Sequence, residues 1–155
     1  MRELAIKAIA MSLSRYYKRI VFIPPAFMLI SFIPYAIYER HTYKSEWLTA
    51  ESMEPYEFAF LVAHCLIVSC LCLEIFFNGR SVVRGNAAWS FASWFLLPML
   101  YFARIWSEVS SNFHDYGIAD DLLALSATLP YLVCLTVTFV QFRRALKAPY
   151  PPAAE

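Results

Sequence analysis

The chain has 155 residues, 60% of them hydrophobic, 17% aromatic and 16% charged, with a net charge of +1. A soluble domain carries about 25% charged residues, so this composition excludes an ordinary water-soluble globule. Near-neutrality excludes a charge-driven nucleic-acid partner. The expected class is all-α: a polytopic membrane protein built as a four-transmembrane-helix bundle. One domain covers residues 1–155, with spans at about 20–38, 58–77, 87–103 and 122–142.

Residues 1–19 are basic, with Arg2, Lys7, Arg15, Lys18 and Arg19 against Glu3 alone. The apolar stretch Leu4 to Leu13 is interrupted by Lys7 and followed by no small-residue cleavage site, so a cleaved leader is not expected. The segment reads either as a short helix on the membrane surface or as a frayed basic flank. The first span, Ile20 to Tyr38, contains three prolines. Pro24 and Pro25 fall in its first turns, where a missing N–H costs little. Pro34 is expected to bend its outer third.

An acidic, aromatic loop follows, and Glu54-Pro55-Tyr56-Glu57 reads as a helix start. The second span, FAFLVAHCLIVSCLCLEIFF, runs from Phe58 to Phe77. About 20 apolar residues suffice to cross the hydrocarbon core as a helix. Ionisable groups are expensive there, which singles out His64 and Glu74. Asn78-Gly79 reads as the C-cap. The short connection Arg80 to Asn86 makes the second and third helices antiparallel neighbours. The third span, Ala87 to Ala103, ends at Arg104, and a polar loop holding His114 leads to Asp120-Asp121 at the start of the fourth helix.

The basic residues set the threading. Ten of the thirteen Lys and Arg lie at the N-terminus, in the 80–86 connection or after Phe142. The positive-inside rule then places both termini in the cytoplasm of an inner or plasma membrane. Small residues mark the helix faces expected to pack: Ala59, Ala63, Cys70 and Glu74 in the second helix, and Ala88, Ala92 and Ser93 in the third. In the fourth they are Ala124, Ala127, Tyr131, Cys134, Thr138 and Gln141.

The candidate functional polar residues are His64, Glu74, Arg104, Asp120 and Asp121. His64, Arg104 and the two aspartates sit near the outer surface and would bind an anion or a metal, or relay protons. Each also has a structural reading: helix capping for the aspartates, snorkelling for Arg104, a hydrogen bond to a neighbouring helix for His64. Glu74 reads first as the ion-pair partner of Arg80 or Arg84. HExxH and paired helical His are absent, so no metal or cofactor is expected. The four cysteines, Cys65, Cys70, Cys72 and Cys134, lie in apolar runs without a CxxC and read as packing residues. No catalytic motif is present.

These features favour a non-enzymatic membrane protein, acting as an accessory, immunity-type or scaffold subunit through helix and outer-loop contacts. Its partners would be the lipid bilayer and another membrane protein, or copies of itself. The alternative is an oligomeric small channel or proton-coupled transporter using His64 and Glu74.

Overall fold

The computed structural model describes residues 2–42, 50–111 and 118–147, and all of the secondary structure in them is helical. Helix α1 runs Arg2–Thr42, α2 Ala50–Leu71, a 3₁₀ segment Cys72–Gly79, α3 Ser81–Gly85, α4 Ala87–Ser111 and α5 Ile118–Lys147. Three stretches are long and apolar enough to cross a membrane: Ser12–Pro34, Pro55–Gly79 and Leu122–Lys147. Helix α4 is not among them, because Trp89, Ser90, Ser93, Trp94 and Pro98 dilute its aliphatic residues.

Helix α1 extends beyond the expected first span at both ends. The basic flank and the apolar run form one continuous helix of 41 residues, and among the described residues the stretch compatible with a membrane crossing includes positions before Ile20. The reason lies in the packing. Leu13, Ile20 and Met28 are all fully buried and lie about two turns apart, so the segment before Ile20 belongs to the core. Pro24 and Pro25 therefore sit mid-helix, where they withhold N–H donors from the carbonyls of Ile20 and Val21. The second helix is also longer than expected. It starts at Ala50 and passes through Pro55, and its last eight residues tighten into the 3₁₀ segment. Runs beyond three or four residues are uncommon for that geometry.

Neighbouring helices run in opposite directions. Phe32 of α1 meets Phe58 of α2, while Tyr17 donates from its hydroxyl to the Ser69 carbonyl at 3.1 Å. Trp94 of α4 meets Phe142 of α5, while the Trp106 indole donates to Thr128 Oγ1 at 3.3 Å. Helix α1 packs on α5, α2 and the 3₁₀ segment, and α4 packs on the 3₁₀ segment and α5. Trp94, Tyr131, Phe142, Ile75 and Leu135 fill the shared interior. Large apolar side chains such as Phe22, Ile30, Leu66 and Leu100 cover the outside. In water each would forgo about 1.5–3 kcal/mol of burial, so a lipid environment is the matching solvent.

The face expected to pack in α2 is the outer one. Ala59, Ala63 and Cys70 are exposed, and Leu61, His64, Val68, Cys72 and Ile75 form the buried stripe. The interior is wide enough for bulky side chains, so close backbone approach through small residues is not what organises it. Cys70 accordingly faces outward, whereas Cys72 and Cys134 are core residues. In α4, Ser93 is buried, Ala92 half-buried and Ala88 exposed. In α5, Ala124, Ala127, Tyr131, Cys134 and Thr138 are buried as expected, and Gln141 is exposed.

Candidate functional site

His64 is fully buried. Its Nε2 lies 3.0 Å from the carbonyl oxygen of Ala127. A carbonyl only accepts, so Nε2 carries the proton and Nδ1 is the acceptor. Among the described residues Nδ1 has no hydrogen-bond partner. Aromatic rings enclose the imidazole: Tyr101 at 5.4 Å, Tyr131 at 5.6 Å, Phe102 at 6.0 Å and Phe60 at 6.1 Å between centroids. The histidine thus ties α2 to α5 inside an aromatic box.

The outer cluster expected around His64 is not assembled by the described side chains. Arg104 points outward and pairs with Glu108 one turn on, Nη2 to Oε1 at 2.6 Å. Both partners are exposed, so the pair contributes little to stability. Asp120 and Asp121 fall in the first turn of α5, but their side chains, like His114, lie outside the described residues.

Glu74 occupies a different place. It lies in the 3₁₀ segment and lines an open groove of about 270 Å³ with Phe77, Arg80, Trp89, Ala92 and Leu96. The expected ion pair is not formed. Among the described residues Glu74 has no partner within 4 Å, although Arg80 lines the same groove. Arg84 is engaged elsewhere: its guanidinium donates to the Gly79 carbonyl at 3.4 Å, and its own carbonyl accepts from Arg143 at 3.0 Å. Glu74 precedes Gly79 by five residues, which at a 3₁₀ rise of roughly 2.0 Å places it about 10 Å from the turn.

Asn78 was not legible as more than a helix cap. It is fully buried, donates from Nδ2 to Ser93 Oγ at 2.6 Å and to the Ile75 carbonyl at 3.1 Å, and accepts from Ser90 Oγ at 2.7 Å. These bonds lock the 3₁₀ segment to α4. The available signal was the spacing of Ser90 and Ser93 after a short turn, which brings both opposite Asn78.

Several other hydroxyls of the apolar helices turn back on their own backbone. Ser69 donates to the Cys65 carbonyl at 2.6 Å, Thr128 to Ala124 at 2.8 Å and Thr138 to Cys134 at 2.6 Å. Such back-bonding satisfies the hydroxyl inside an apolar medium. No three His, Cys, Asp or Glu among the described residues converge as a metal site would require. Compared with protein families, curated proteins and solved structures, the chain matches none of them.

Proposed function

We propose that the chain is a non-enzymatic membrane subunit that docks a helix of another membrane protein along the Glu74 groove. In this reading α4 is a fourth span, the helices form a four-helix bundle, and both termini are cytoplasmic. At 25 residues α4 is about 37 Å long, enough to cross. With three crossings Arg143, Arg144 and Lys147 would lie outside, against the positive-inside rule.

The carrying observation is the groove itself. An intramembrane carboxylate without an ion pair is costly. Here it opens sideways between Trp89 and Phe77, beside the half-buried Ala92, which allows a helix to approach closely. A partner helix bearing a Lys or Arg would neutralise Glu74 and cover the exposed ring of Trp89. The channel or transporter alternative draws no support from the polar groups. Ser69, the one hydroxyl between His64 and Glu74 on their own helix, is turned onto the Cys65 carbonyl. His64 is closed in by rings.

A photo-crosslinking residue in place of Ala92 tests this in membranes of the native host. One discrete adduct, lost in the Glu74→Gln background, is expected. Proton or ion flux from the purified protein in liposomes, abolished by Glu74→Gln or His64→Ala, would overturn the reading in favour of transport.

A further inference from the structure

The seam between α1 and α5, on a different face from the Glu74 groove, holds a groove of about 450 Å³. Its walls are apolar: Ile23 and Phe27 of α1 and Leu129, Pro130, Val133 and Val137 of α5. One end alone is polar. There Arg19 donates from Nη1 to Gln141 Oε1 at 2.8 Å, and both residues are exposed and line the groove. From Leu129 to Gln141 the groove runs twelve residues of helix, about 18 Å. That is slightly more than half of a hydrocarbon core about 30 Å thick, the depth of one leaflet. Beyond Pro130 a second hollow of about 540 Å³ continues the seam past Phe27 and Leu125, with Ser31 and Ser126 as its only polar lining residues.

We infer that this groove binds one anionic glycerophospholipid of the cytoplasmic leaflet. An acyl chain lies against Phe27, Val133 and Val137, and the phosphate sits on Arg19. Three features select that occupant. The stretch of the seam that ends at the cation, from Leu129 to Gln141, is about one leaflet deep. Its cation is at the end where a headgroup belongs, because an α1 side chain slants toward the helix N-terminus and so snorkels toward the cytoplasmic surface. Arg15, Lys18, Arg144 and Lys147 are exposed on the same two helices at the same end, so the local field favours a net negative headgroup over a zwitterionic one. Gln141 holds the guanidinium in place, which leaves its other N–H groups free to meet phosphate oxygens in a fixed geometry. The site rests on the threading proposed above but not on a partner at Glu74.

The test is native mass spectrometry of the detergent-solubilised full chain with added phosphatidylglycerol or phosphatidylcholine of identical acyl chains, alongside thermal unfolding with each lipid. One phosphatidylglycerol should be retained per chain at least fivefold better than phosphatidylcholine, and should raise the unfolding midpoint. Arg19→Gln should reduce the preference between headgroups, leaving what the neighbouring cations supply. Val137→Trp, which fills the groove from an exposed position, should lower retention of both lipids several-fold without altering the charge. Equal retention of the two lipids by the native chain, an unchanged preference in Arg19→Gln, or undiminished binding by Val137→Trp would overturn the assignment. So would a dimer of the native chain that Val137→Trp dissociates, since a second copy would then occupy the seam. The lipid result is independent of any adduct at Ala92, so either proposal can fail alone.

Discussion

His64 and Asn78 show how the same chemistry reads differently once its surroundings are known. An imidazole in a membrane helix is a functional candidate by default. Here its one donated proton goes to Ala127 and its faces are covered by rings, so its role is to fill volume and tie two helices. Replacing it with Ala should leave a cavity and cost about 2–4 kcal/mol of stability. His64→Phe keeps the volume and gives up a single interhelical bond, so it should stay within about 1 kcal/mol of the native chain. Thermal unfolding in detergent measures both, and a Phe variant as unstable as the Ala variant would show that the hydrogen bond, not packing, is what matters. Asn78 is the opposite case. Its amide satisfies two serine hydroxyls in the interior, and Asn78→Ala should destabilise by about 1–3 kcal/mol through the groups it strands. The exposed neighbour Ser81 should tolerate the same change, which makes Ser81→Ala the control for that measurement.

At the scale of elements, what could be read from the chain was where helices must be. Apolar length marked out the three long apolar stretches that lie in Ser12–Pro34, Pro55–Gly79 and Leu122–Lys147. Their ends were less legible. A continuous α1 could not be distinguished from a surface helix followed by a span, because Lys18 and Arg19 interrupt the apolar run while Leu13 and Ile20 hold the packed face across them. The facing of α2 was inverted for a related reason. Small residues mark close helix crossings, but the interior here is built from Trp94, Tyr131 and Phe142, so bulky residues point in and alanines out. Two local features follow from side-chain chemistry. Pro98 and Pro130 stay within their helices, and the turn before α4 carries an asparagine. Asn86 Oδ1 accepts from the N–H groups of Ala88 at 2.9 Å and Trp89 at 3.3 Å, an N-cap at the first turn. Asn86→Ala should lower stability by about 1 kcal/mol, and Asn86→Asp should retain most of it. Chemical denaturation monitored by tryptophan fluorescence would compare the two, and an undiminished stability of Asn86→Ala would mean the cap contributes nothing.

For the molecule as a whole, the described residues separate into an interior that holds Asn78, Ser90, Ser93, Thr128 and Thr138 in hydrogen bonds but leaves Trp94 Nε1 and Tyr131 Oη without partners, and an exterior of large apolar side chains with exposed charges toward the helix ends, on which the Glu74 groove and the Arg19 end of the α1–α5 seam combine a charge with an apolar wall. That distribution is why the account assigns function to lateral surfaces rather than to a buried site. Both surfaces presuppose the same threading, in which α4 crosses the membrane although it is not among the three stretches long and apolar enough by composition. Glu74 would otherwise lie beside a helix at the interface, and Arg143 and Arg144 would sit on the outer side. Ser81 and Ser107 are both exposed and flank α4 near its two ends. Labelling of Ser81→Cys and Ser107→Cys by a membrane-impermeant maleimide, on intact cells and then on permeabilised ones, decides the matter. The account predicts that Ser107→Cys reacts in intact cells and Ser81→Cys only after permeabilisation. Reaction of both positions from the same side would contradict it.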